Sequence, residues 1–147
     1  MNIGEDQGTP ESAVHETLLF SIRGAWPPTI ASKIFRKAYS RLLTLGEQSQ
    51  RHWHRKRTEV VIPLYGRAEC VLWNCQGELA LQRSIEAGTC GILVPPGFAH
   101  QFACRAGPEC NLLVLATSGV DDKVVVSPQS PGGDRYVARQ NRKKVGP

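Results

Sequence analysis

His52, His54 and Glu59 fall within a single stretch of nine residues, Arg51-His52-Trp53-His54 followed by Arg55-Lys56-Arg57-Thr58-Glu59. Imidazole nitrogens and a carboxylate oxygen are the donor types that bind first-row transition metals. In a β-strand, alternate residues share a face and lie about 7 Å apart, so His52 and His54 would converge while Trp53 points away. Arg55–Thr58 then reads as a turn, and Glu59 opens the next strand, with Val61, Pro63 and Tyr65 on the same face. His100 follows the turn Pro95-Pro96-Gly97 and can be the fourth ligand. Three of the chain's four histidines lie in these two segments. Any one of them alone would more simply border a charged loop or sit hydrogen-bonded in a core. Together they supply a complete set of N and O donors, and four ligands leave about two positions of an octahedral ion open, as a catalytic centre requires.

Positioning four such side chains calls for short, closely spaced strands. Apolar, β-branched and aromatic runs occur at Leu18–Ile22, Ile34–Tyr39, Ser40–Leu45, Glu59–Tyr65, Ala68–Trp73, Leu79–Arg83, Gly91–Val94, His100–Cys104 and Asn111–Thr117. Turn residues punctuate them at Gly24, Pro27-Pro28, Gly46, Gly66, Gln76-Gly77, Gly88, Pro95-Pro96-Gly97 and Ala106-Gly107-Pro108. Many short strands without long amphipathic helices predict an all-β, antiparallel sandwich or barrel.

The 147 residues, 41% of them hydrophobic, suit one globular domain. Residues 1–14 and 128–147 carry little apolar pattern and read as flexible ends, the second of them basic, around a domain over 15–127. No apolar run approaches the roughly 20 residues of a membrane helix. The first residues resemble no secretory leader, so a cytoplasmic location is expected and no membrane partner. The five cysteines are odd in number and form no Cys-x-x-Cys pair, which predicts reduced, mostly buried thiols. The formal charge of +5 is concentrated in the middle of the chain at Arg51, Arg55, Lys56 and Arg57. A basic rim beside a ligand cluster favours an anionic small molecule, and no nucleic-acid-binding module is recognisable.

The pattern Gly46-x5-His52-x-His54-x4-Glu59-x6-Gly66 resembles the first conserved motif of the cupins, and Pro95-x-Gly97-x2-His100 resembles the second. The resemblance spans roughly residues 40–118. It implies a cupin-type antiparallel β-barrel (a double-stranded β-helix or jelly roll), a homodimer, and one divalent ion, Fe, Mn, Ni, Zn or Cu, on His52, His54, Glu59 and His100. Two positions depart from the family pattern. Thr89 stands where a glycine is usual, with Gly88 one place earlier, and Cys104 stands where asparagine is common.

Cupins host many reactions, so the fold does not choose one. The surroundings of the motifs also resemble the sugar-nucleotide 3,5-epimerases and 3,4-ketoisomerases of this superfamily. This implies an isomerase or epimerase in which the ion polarises a carbonyl and His or Glu moves a proton. Arg51 and Arg57 are then expected to contact an anionic, carbohydrate-like substrate, with Tyr65 and Trp73 as pocket aromatics. The alternatives on the same ligand set are a ferrous dioxygenase of a small organic substrate, a natural-product cyclase of polyketide type, which would favour an apolar cavity over a basic rim, and a non-catalytic ligand-binding cupin.

Overall fold

A computed structural model of the chain describes residues 18–120 and 122–126. The flexible ends expected over 1–14 and 128–147 lie outside the described residues. Ten strands and one short helix follow in order: β1 (Leu19–Ser21), α1 (Pro28–Ala31), β2 (Lys37–Thr44), β3 (His52–His54), β4 (Glu59–Tyr65), β5 (Arg67–Trp73), β6 (Leu79–Glu86), β7 (Cys90–Val94), β8 (Ala99–Ala103), β9 (Glu109–Ala116) and β10 (Lys123–Val125). They form two five-stranded sheets, β1-β7-β4-β9-β2 and β10-β3-β8-β5-β6. Every paired strand is antiparallel. This is the expected all-β jelly roll.

Two-residue periodicity builds the core. In β9, Cys110, Leu112, Val114 and Ala116 are buried while the residues between them are only partly so. Cys110, Leu112 and Val114 share a core with Val61, Ile92 and Val94 from their own sheet and Ala68, Cys70, Leu72, Leu81 and Phe102 from the other. The outer face of the first sheet is covered by α1, whose Ile30 packs with Phe20, Val60 and Leu93. On the outer face of the second, β10 brings Val124 against Trp53, Trp73 and Ala99.

Several expectations are refined. The junction of the two runs Ile34–Tyr39 and Ser40–Leu45 lies inside one continuous strand, β2, which begins at Lys37, ends at Thr44 and pairs with β9 along its whole length. The Pro27-Pro28 turn leads into α1, with Pro28 in the first turn, where its missing N–H costs no hydrogen bond. Thr89 is accommodated because Gly88 takes the positive φ of +81° and the Thr89 hydroxyl donates to the Glu86 carbonyl at 2.6 Å. Cys70, Cys104 and Cys110 are buried thiols, whereas Cys75 is exposed and Cys90 partly so; all five are free.

Two glycines of the motifs fix the strands that carry His54, Glu59 and His100. Gly66, at φ +75°, closes the turn between β4 and β5, and a Cβ there would lie 2.6 Å from the Glu109 carbonyl oxygen. Gly97, at φ +83°, donates its N–H to the His54 carbonyl at 2.7 Å, tying the turn before β8 to the end of β3.

Candidate metal centre

Strand register brings the four residues together. His52 on β3 is directly opposite His100 on β8, and His54 lies two residues along on the same face. Glu59, the first residue of β4, faces them from the other sheet. The ligand atoms of His52, His54, Glu59 and His100 all lie within 4.8 Å of one another. The His52–His100, His52–His54 and His54–His100 ring centroids are 4.3, 5.0 and 5.6 Å apart. His54, Glu59 and His100 are buried, and His52 is partly exposed.

Each ring is oriented through its Nδ1. His52 Nδ1 is 2.8 Å from the Gln50 carbonyl, His100 Nδ1 is 3.0 Å from the Phe98 carbonyl, and His54 Nδ1 is 3.0 Å from Asp122 Oδ1. A carbonyl can only accept, so Nδ1 of His52 and His100 carries the hydrogen, and Nε2 of each neutral ring presents a lone pair. Outer partners of this kind are what set the tautomer of metal-binding histidines.

Glu59 is held in the same way from behind. Its Oε2 accepts from the Tyr39 hydroxyl at 3.3 Å and from Arg57 Nη1 at 3.4 Å. Its Oε1 is turned to His54 Nε2 at 3.4 Å and His100 Nε2 at 3.3 Å.

The electrostatics follow from this crowding. Burial, and next the neighbouring His100, push the His52 imidazole down to about 3, so it is neutral at ordinary pH. For Glu59, burial acts upward, but contacts with His100 and His54 outweigh it and hold the carboxyl well below the usual range. Asp122 is likewise lowered: burial opposes, while the Lys56 N–H at 2.6 Å, His54, and the Arg57 N–H at 3.3 Å prevail. His100 Nε2 is buried and makes no hydrogen bond, although Glu59 Oε1 is 3.3 Å away. Two electron-rich atoms thus face each other with no shared proton unless the ring takes up a second one. A divalent cation among these atoms removes that repulsion, and the donor set fits one.

The remaining expected residues lie elsewhere around the cluster. Arg51 and Trp73 are on the opposite face of their sheet from the imidazoles, with the Arg51 guanidinium 3.6 Å from the Trp73 ring centroid. The reason is pleat parity: Leu72 is opposite His100, so Trp73, opposite Ala99, must point outward. A depression of about 300 Å³ on that outer face is lined by Trp53, Arg55, Pro96 and Gly97, away from the ligands. Arg57 is buried and binds Glu59 and the Val120 carbonyl, at 2.9 Å, so it holds the carboxylate in place. Tyr65, at the far end of β4, is 55% exposed and six residues from Glu59. Sequence reasoning missed Asp122 and Tyr39. Asp122 is remote in sequence and precedes a three-residue strand, so no spacing announces it. Tyr39 shares the inward parity of the buried Leu43 on β2, a signal that splitting this strand into two runs had hidden.

No protein-family model matches this sequence, and no curated protein matches it either. Solved structures do. The 3,4-ketoisomerase QdtA from Thermoanaerobacterium thermosaccharolyticum, in complex with TDP, aligns with a TM-score of 0.56 at 18% identity, covering 76% of each chain. A 4-keto-6-deoxy sugar epimerase from the novobiocin gene cluster of Streptomyces spheroides aligns at 0.60 and 14% identity, over 75% of this chain and 68% of the epimerase. Procruciferin, an 11S globulin from Brassica napus, aligns at 0.55 and 14% identity; 60% of this chain is matched, and it spans 22% of the globulin. The fold is the cupin barrel. An 11S globulin, a sugar epimerase and a sugar ketoisomerase share it, so the cupin scaffold by itself assigns no reaction.

Proposed function

We propose that this cupin is a metal-dependent isomerase or epimerase acting on a nucleotide-linked keto sugar or another anionic, carbohydrate-like small molecule. The observation that carries the metal part is the ring orientation: Nδ1 of all three histidines meets an acceptor, Nε2 of His54 and His100 lies 3.4 and 3.3 Å from Glu59 Oε1, and the candidate ligand atoms of all four residues lie within 4.8 Å of one another. The reaction class is supported by the solved 3,4-ketoisomerase and 4-keto-6-deoxy sugar epimerase, with which the chain shares its barrel.

A divalent ion held by His52, His54, Glu59 and His100 would supply Lewis-acid polarisation of a substrate carbonyl. The chain's own groups do the rest. His54 is the ring with a carboxylate behind it, and Asp122 Oδ1, 3.0 Å from Nδ1, favours the tautomer that presents the Nε2 lone pair to the ion. The Tyr39 hydroxyl donates to Glu59 Oε2, so a proton taken from the carbon beside the substrate carbonyl can be held on this Glu59–Tyr39 pair. Arg57 Nη1, 3.4 Å from Glu59 Oε2, holds the carboxylate in place. The apolar wall of Val61, Leu72, Phe102 and Val114 limits water around the reacting carbons.

The test is incubation of metal-reconstituted protein with nucleotide-linked 4-keto-6-deoxy sugars in D2O, followed by NMR. Deuterium at the carbon beside the keto group, with an epimer or a shifted keto position, is the expected result. Oxygen consumption with another organic substrate, and no exchange on any keto sugar, would overturn it in favour of a dioxygenase.

A further inference from the structure

The basic residues best placed to meet an anionic ligand come from β2. This strand lies at the edge of its sheet, and seven of its eight residues are exposed. Its parity is set at two points: Leu43 is buried in the barrel core, and Tyr39 reaches Glu59 Oε2. Lys37, Tyr39, Arg41 and Leu43 therefore form the inward row. Residues that face inward and are nevertheless exposed mark the mouth of the barrel.

Register places this row beside the ligand cluster. Lys37 pairs with Ala116, which on its other side pairs with Glu59, so Lys37 and Glu59 stand in one row, two strand spacings or about 10 Å apart. Arg41 pairs with Leu112, about 13 Å further along the strand from Lys37. Between them stands Tyr39, with the Lys37 ammonium 5.3 Å from its ring centroid. Among the described residues, no carboxylate pairs with Lys37 or Arg41.

An edge strand often carries charge merely to deter pairing with another chain. Here the distribution argues otherwise. The outward row, Ala38, Ser40, Leu42 and Thr44, carries no charge, and both cations lie on the row that faces the site. Arg51 and Arg57 are engaged with Trp73 and Glu59, on the outer face and in the interior respectively.

We infer that the inward row of β2 is the anion-binding wall of this site, with Lys37 and Arg41 holding the phosphate or diphosphate of a phosphate ester whose other end lies at the His52–His54–Glu59–His100 cluster. The inference rests on the reading of that cluster as a ligand site and adds the residues that select for anionic substrates. Arginine offers a planar pair of donors to phosphate oxygens, and lysine a point charge.

Inorganic pyrophosphate tests it. Binding is measured calorimetrically at low ionic strength for the wild type, Arg41→Ala, Lys37→Ala and the control Arg67→Ala, an exposed cation on β5. Metal content is measured on the same samples. Losing one charge-assisted contact is expected to weaken pyrophosphate binding about ten- to hundredfold in each β2 variant. Arg67→Ala should change it less than about twofold, as a distant screened charge does. Wild-type affinity in both β2 variants, an equal loss in Arg67→Ala, or no binding by the wild type would each overturn the inference. Protein that carries no metal but binds pyrophosphate through Lys37 and Arg41 would retain the wall and overturn the metal centre instead.

Discussion

Asp122→Asn separates orientation of a ligand from its identity. The Asp122 carboxylate serves three donors with two oxygens: Oδ1 takes His54 Nδ1 at 3.0 Å, and Oδ2 takes the Lys56 and Arg57 N–H groups at 2.6 and 3.3 Å. An amide of the same size has one oxygen for all three. If that oxygen serves the backbone, the amide NH2 faces His54 Nδ1 and favours the tautomer with hydrogen on Nε2, the atom that must ligate. If it turns to His54, two backbone N–H groups lose their acceptor. Either outcome weakens metal binding, and outer-sphere losses of this kind cost about 10–100-fold in affinity, or about 1.4–2.8 kcal/mol. Competition against a chromogenic chelator reads the affinity, with circular dichroism to verify that the barrel is intact. Wild-type affinity in folded Asp122→Asn protein would refute the argument that Asp122 sets the His54 tautomer.

Acid should destabilise the metal-free protein. His52 titrates near 3 in the folded state against an ordinary value of 6.5, so the unfolded chain binds the extra proton between those values and stability falls as pH drops through that window. Between pH 7 and pH 5 the loss is about 2 kcal/mol in urea unfolding, and the lowered Glu59 and Asp122 add to it below about pH 4.5. A flat stability profile from pH 7 to pH 5 would contradict the burial of a neutral His52. Gly66→Ala should cost about 2–4 kcal/mol, since it combines a left-handed backbone with a Cβ 2.6 Å from the Glu109 oxygen; an unchanged urea midpoint would show that the β4–β5 turn relaxes freely.

The clustering of His52, His54, Glu59 and His100 was legible in the sequence because strand parity and short spacing depend on nothing distant. His52 and His54 share a face by alternation, and β4 runs from Glu59 to Tyr65 as its apolar pattern indicates. What escaped depends on pairing between remote segments. Asp122 reaches His54 only because β10 folds back onto β3. Arg51 and Trp73 looked like pocket residues by proximity in sequence, yet one residue of register turns each to the outer face. Arg57 read as a free cation, whereas Glu59 and the Val120 carbonyl engage it in the interior. The continuous β2 strand, and with it the inward row of Tyr39 and Arg41, was obscured because Ser40 falls where two apolar runs meet.

The central claim is that His52, His54, Glu59 and His100 hold a metal ion. Elemental analysis of the protein after reconstitution with Fe, Mn, Ni, Zn or Cu, run beside the His52→Ala/His54→Ala double variant, tests it most directly. The account predicts about one divalent ion per chain in the wild type and essentially none in the variant, with both proteins folded. No metal in the wild type under any of these conditions, or equal metal in the two proteins, would contradict it.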